Sequence, residues 1–141
     1  MTSVSFQHIS ILAIALWLLS GCAHQQEATH HHHTVPPGSN EMLRAALSAS
    51  DELEVIISDV VIPPGGSVPK HYHPGEEFLY VIEGSAFHRE AGKPDQILSA
   101  GDAYVIPPQA AHNPKGGPEG ARAIVFRVHT KGEPERILVE D

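Results

Sequence analysis

The hydrophobic pattern changes character along the chain. From residue 53 onward, apolar positions come in short blocks, each closed by turn formers. Leu53–Ile62 (LEVIISDVVI) is β-branched and apolar, and Pro63-Pro64-Gly65-Gly66 ends it, so the pattern predicts a strand. Residues 77–83 (EFLYVIE) predict a second strand; Gly84 supplies a turn, and residues 85–90 return from it. Gln96–Ser99, Ala103–Ile106 and the segments 122–129 and 136–139 add four more. These intervals are close to the roughly 8–12 residues of β-sandwiches and barrels. No segment after Leu53 keeps a helical period. Residues 42–47 are divided: their alanines favour a helical turn, their position favours a first strand.

The N-terminal pattern is of another kind. Residues 9–19 (ISILAIALWLL) are almost wholly apolar. As a helix they rise about 16 Å, too little for a hydrocarbon core of about 30 Å, but suited to the apolar region of a signal peptide. Leu19-Ser20-Gly21-Cys22 then resembles the lipobox of bacterial lipoprotein signal peptides. The resemblance implies a signal peptide over residues 1–21, cleavage before Cys22 and lipidation of that cysteine. The preceding MTSVSFQH departs from the pattern in having no Lys or Arg. Ala23 follows the cysteine, and by that family's sorting rule this implies the outer membrane, facing the periplasm.

Residues 22–40 are expected to be a flexible, His-rich tether, because they hold few apolar residues, two consecutive prolines and four consecutive histidines at 30–33. The 17 residues from 24 to 40 would span roughly 20–25 Å on average. The histidine run is read either as a metal-capturing segment or as a solvated spacer. Residues 41–141, about 100 in number, suffice for one small barrel with a single core.

Composition narrows the function classes. Nine Lys+Arg against 17 Asp+Glu give a net charge of −8, and the scattered cations form no basic run, which argues against nucleic-acid binding. A single cysteine excludes an internal disulfide framework and any multi-cysteine zinc site. No Gly-x-Ser-x-Gly, phosphate loop or dinucleotide fingerprint occurs. The 11 histidines are the oddity, since imidazole is the commonest metal ligand.

Three of those histidines stand with a carboxylate in a ligand-like arrangement. His71 and His73 flank Tyr72, and residues two apart on an extended chain face the same side. A turn at Pro74-Gly75 lets Glu77 begin the next strand facing the same point. Strand parity then sends Glu76 to solvent, Leu79 and Val81 inward, and Phe78, Tyr80 and Ile82 outward. His112 follows the turn Pro107-Pro108-Gln109, from which a second hairpin can present a third imidazole. Two His and a carboxylate suit a divalent metal. His88 could face the same cavity, and His129 is expected at an exposed strand end.

These spacings resemble the cupin superfamily. Gly65, His71, His73, Glu77 and Gly84 match every position of its first motif, and Gly101, Pro107 and His112 match its second. Gln109 stands where the family has glycine and Gly116 where it has asparagine; neither position is a metal ligand in the family. The resemblance implies an all-β, single jelly-roll-like barrel holding a divalent metal on His71, His73, Glu77 and His112. Fe, Mn, Ni, Zn and Cu all remain open, because an N/O site accepts each of them. It also implies a homodimer, since cupins often pair through an outward apolar row. The expected activity is that of a metal-dependent enzyme, a dioxygenase or isomerase acting on a small oxygenated molecule, with Tyr104, His88 and Arg127 as candidate supporting groups. Two other expectations stand beside it: a non-enzymatic metal- or ligand-binding periplasmic lipoprotein, and a structural cupin whose ligands hold the barrel closed.

Overall fold

The computed structural model describes residues 34–140. The expected signal peptide, Cys22 and the histidine run at 30–33 lie outside the described residues. Eight strands follow one another: β1 (Gly38–Ala46), β2 (Leu53–Ile62), β3 (His71–Tyr72), β4 (Glu77–His88), β5 (Gln96–Ser99), β6 (Ala103–Ile106), β7 (Lys115–Thr130) and β8 (Ile137–Leu138). All their pairings are antiparallel, and among the described residues no helix occurs. The main sheet runs β1-β2-β7-β4, and the free edge of β4 takes β6 beside its first half and β5 beside its second. β3 pairs with β8, and short bridges from His112 to His71 and Glu90 draw the loops inward. This is the all-β barrel that the strand pattern and the motifs imply.

The divided segment 42–47 belongs to a strand. β1 pairs in antiparallel register with β2 from Gly38↔Val61 to Ala46↔Glu54, and tertiary pairing overrides the helix preference of its alanines. Its first residues, Gly38 to Asn40, lie within the segment expected as tether; the Asn40 amide donates to the Asp59 carbonyl at 3.0 Å and secures that end to β2. Arg44 reaches Glu41, Glu54 and Glu135 from the exposed face.

Two expected turns are strand. Residues 77–83 and 85–90 are not a hairpin about Gly84: β4 runs through it, with register shifts between Val81 and Glu83 and between Gly84 and Ala86. Gly84 sits at φ +67°, and its Cα lies so close to β7 that a Cβ would stand 2.2 Å from the Gly120 carbonyl oxygen. Such bulges bend a strand and shift its facing. Before the bulges Glu77 and Val81 are buried; after them Ala86 and His88 are. Likewise Lys115-Gly116-Gly117, which in its proline-rich stretch reads from the sequence as a surface turn, opens β7, with both glycines buried. At Gly116 a side chain would meet the Pro63 carbonyl at 2.3 Å, while its own N–H donates to Gly66 at 2.8 Å.

The core is hollow. Apart from Ile56, every fully buried aliphatic side chain among the described residues borders one cavity of about 510 Å³. Protein interiors normally fill to crystal-like density. A barrel that keeps such a space forgoes packing contacts, and the histidines open into it.

Candidate metal centre

The backbone brings the two motifs together. His112 N–H donates to the His71 carbonyl at 2.8 Å and His71 N–H donates to the His112 carbonyl at 3.0 Å, which puts both side chains on one face of an antiparallel bridge. The turn at Pro107-Pro108 closes on Gln109, the one non-glycine residue with positive φ (62°) among the described residues. In that conformation Gln109 donates its N–H to the His73 carbonyl at 2.8 Å. Glutamine thus adopts the left-handed backbone where the motif has glycine, at a modest conformational cost.

His71, His73 and His112 are all buried and present ring nitrogens within 4.8 Å of one another. Their ring centroids are 4.3 to 5.4 Å apart. Each ring is held from behind: His71 Nδ1 meets the Pro69 carbonyl at 2.7 Å, His112 Nδ1 the Ala110 carbonyl at 2.9 Å, and His73 Nδ1 the Glu135 carbonyl. A carbonyl oxygen only accepts, so each Nδ1 carries a proton, and Nε2 is the nitrogen each ring turns inward. Metal-ligating histidines are oriented in this way.

Electrostatics keep the lone pairs available. Burial pushes His71 down to about 4, against the opposing bond to Pro69, with His112 and His73 adding to the shift. Burial also lowers His73, outweighing the attraction of Glu77. Glu77 is buried beside the same cluster. Burial pushes its carboxyl up, but the Arg127 guanidinium overcomes this and holds it below the ordinary range, so it is ionised. Its Oε2 lies 3.1 Å from His73 Nε2, yet His73 Nε2 has no hydrogen-bond partner. Two acceptors facing each other in a buried place call for a cation between or beside them. The donor set therefore fits a divalent metal on neutral nitrogens.

The other sequence candidates fall around this cluster. Arg127, the register partner of Glu77 across β4 and β7, donates Nε–H to Glu77 Oε2 at 2.7 Å and Nη1–H to Ser58 Oγ at 3.3 Å. His88 is buried on the cavity wall, its ring 5.9 Å from that of His112. Tyr104 packs against His88 and donates its hydroxyl to Glu90 Oε2 at 3.1 Å. Glu90, not singled out from sequence, is buried and also holds Lys93 at 2.7 Å. Its signal was available: it stands two residues after His88, on the same strand face. His129 is a correction. It is buried rather than exposed, because it follows Val125 and Arg127 in parity and the chain folds back so that the Glu133 carbonyl takes its Nε2–H at 3.0 Å. Glu76 is exposed.

Comparison with known proteins agrees with this geometry. The family model described as a cupin domain matches residues 58–127. No curated protein matches the chain. Among solved structures, the DMSP lyase DddQ from Ruegeria pomeroyi is similar at 27% identity and TM-score 0.53, over 64% of this chain and 44% of that one. The chain thus spans less than half the length of that lyase. A cupin-like protein from Thermotoga maritima is similar at 26% identity and TM-score 0.53, over 71% of this chain and 88% of that one. A double-stranded β-helix protein from Klebsiella pneumoniae shares the fold at 23% identity and TM-score 0.51, over 76% and 90% of the two chains. Fold, spacing and family match converge: the chain carries a small cupin domain, with a cluster of three histidines that could hold a metal ion.

Proposed function

We propose that the protein is a metal-dependent enzyme that takes a small molecule into the barrel and acts on it at a divalent ion held by His71, His73 and His112, with Glu77 beside them. The observation that carries this reading is the buried cluster of Nε2 lone pairs opening into a cavity of about 510 Å³. A purely structural metal would need no such space. A bound ion would supply Lewis acidity toward a substrate oxygen. The chain's own groups do the rest. The aliphatic wall, with Leu79, Val81 and Leu98, excludes water and receives an apolar body. His88 and the Glu77–Arg127 pair offer the polar contacts that orient it. A ligand with one oxygenated end and an apolar remainder matches this lining. The similarity to a DMSP lyase adds a lyase to the dioxygenase and isomerase types as a reaction class to screen.

The test is metal analysis of the full chain, purified without an added tag and with residues 30–33 replaced by serine. About one Fe, Mn or Ni per chain, with turnover in a screen of small oxygenated acids and alcohols, is the expected result. Metal without turnover would favour a binding lipoprotein, and no metal after reconstitution would sink the reading.

The chain is also proposed to be lipid-anchored at Cys22 in the outer membrane and to form a homodimer. The outward row supports the dimer: Val105, Phe78, Phe126, Ile57 and Leu43 are successive register partners across five strands, and Phe78 is 43% exposed. Cys22→Ser should move the protein to the soluble fraction, where sedimentation should give twice the chain mass. A membrane-bound variant or a monomer would refute the respective part.

A further inference from the structure

Beside the three histidines lies a second polar cluster that the metal reading does not use. Glu90 is buried and accepts twice: from Lys93 Nζ at 2.7 Å on Oε1, and from the Tyr104 hydroxyl at 3.1 Å on Oε2. Lys93 Nζ and Gln96 Nε2 donate in turn to the Tyr104 oxygen at 3.3 and 3.4 Å. His88 Nε2 lies 3.4 Å from the same Glu90 Oε2 and has no other partner among the described residues. A carboxylate held by an ammonium only accepts, so the His88 proton sits on Nε2. Burial lowers His88 more than the Glu90 bond raises it, and the ring is neutral. This tautomer is the reverse of that in His71, His73 and His112, whose Nδ1 atoms meet carbonyls. The other nitrogen of His88 is left for the cavity. His88 Nδ1 makes no hydrogen bond among the described residues, yet the one sealed side-chain atom without a partner there is His73 Nε2. His88 is 2% exposed and borders the cavity, so Nδ1 opens into that space. Its ring stands 5.9 Å from that of His112, near enough for one small molecule to meet both Nδ1 and an ion on the three histidines.

We propose that His88 selects the substrate: its Nδ1 accepts a hydrogen bond from a hydroxyl of the bound molecule, and Glu90 is the positioning residue that sets this tautomer; this deepens the enzyme reading above and rests on it. The substrate class narrows to small molecules that carry an O–H group next to the oxygen that meets the ion, as an α-hydroxy acid does. A keto analogue of the same shape offers His88 only a second acceptor, which leaves two lone pairs facing each other in a buried place. Lys93, Tyr104 and Gln96 act one step further out, by filling the remaining acceptor positions around Glu90 and its partner hydroxyl.

The experiment uses the full chain with Cys22→Ser and residues 30–33 replaced by serine. Long-range proton–nitrogen NMR of the metal-free protein reads which nitrogen of each ring carries the proton. His88 is expected in the Nε2–H form, against Nδ1–H for His71, His73 and His112. Glu90→Gln, whose amide oxygen still accepts, should keep the His88 form, and Glu90→Leu should lose it. An Nδ1–H form of His88 in the parent chain would overturn the proposal, and that reading needs neither metal nor a folded Glu90→Leu variant. Ni(II) is then loaded, and lactate and pyruvate are titrated by calorimetry as probes that differ in a hydroxyl against a carbonyl. Lactate should bind about 3- to 10-fold tighter, the worth of one net hydrogen bond, and His88→Phe should remove the preference. No preference for lactate in the Ni(II)-loaded parent chain would overturn the selection by His88. Absence of bound Ni(II) would instead overturn the metal reading itself.

Discussion

Replacing His73 and His112 together with alanine is expected to leave a folded β protein that no longer holds stoichiometric metal. Each ring contributes one of three converging nitrogens, and a single remaining imidazole cannot hold a divalent ion against water. The fold should survive because the contacts that place these residues are made by the backbone. The paired hydrogen bonds between His71 and His112 and the bond from Gln109 to His73 use main-chain atoms that alanine retains. The loss of stability should be modest for two buried rings. Two carbonyls lose their Nδ1–H partners, at about 1–3 kcal/mol each if left dry, but the adjoining cavity can admit water to them. One lone pair facing a carboxylate disappears in exchange. Metal content should fall from about one ion per chain to the background of the buffer, while far-ultraviolet circular dichroism stays that of the parent. Unchanged occupancy in a folded variant would place the metal elsewhere.

Gly84→Ala is expected to be the most destabilising single-methyl change in the barrel outside the ligand loop. Two costs add at this position. The left-handed backbone at φ +67° disfavours any L side chain by about 1–2 kcal/mol. The new Cβ also meets a main-chain oxygen, that of Gly120, at 2.2 Å, and neither strand can withdraw without disturbing the β4–β7 ladder. A total loss of about 3 kcal/mol or more follows, within the range reserved for strained backbone and overpacking. Gly92→Ala is the control. Gly92 has a comparable φ of +80° but nothing within 4 Å of its Cβ, so only the conformational cost of about 1 kcal/mol applies. Urea unfolding of both variants reads the difference. Equal losses would mean that β4 relaxes away from Gly120 and that the bulge is not rigidly held.

That bulge also marks where reasoning from sequence reached its limit. Parity along an ideal strand puts His88 on the face opposite Glu77, eleven residues earlier. Both are buried, because the register shifts beside Gly84 change which face points inward. A glycine between two apolar runs reads equally well as a hairpin turn or as a bulge in one strand. The choice is made by whether β7 lies beside both halves, which is a long-range fact. Lys115-Gly116-Gly117 is strand rather than turn for the same reason. Its glycines look like a turn, but they serve close approach to Pro63 and Ser85.

The sequence by itself determined the short strand blocks, the all-β class and the identity of the residues that converge. His71, His73 and His112 are legible because strand periodicity and turn chemistry are local, and local physics fixes two imidazoles on one face of an extended segment. The burial of Glu77 and the exposure of Glu76, Phe78 and Tyr80 follow from the same alternation. Only the tertiary structure decided what those residues face. It set Arg127 opposite Glu77, 50 positions away in the chain. It put the Glu135 carbonyl behind His73, 62 positions away, which fixes the tautomer of that ring. It also turned the expected exposed His129 inward and left the core hollow. Charge pairing, tautomer and cavity all depend on which distant atoms share a low-dielectric space. No periodicity within one segment contains that information, and closing the barrel supplies it.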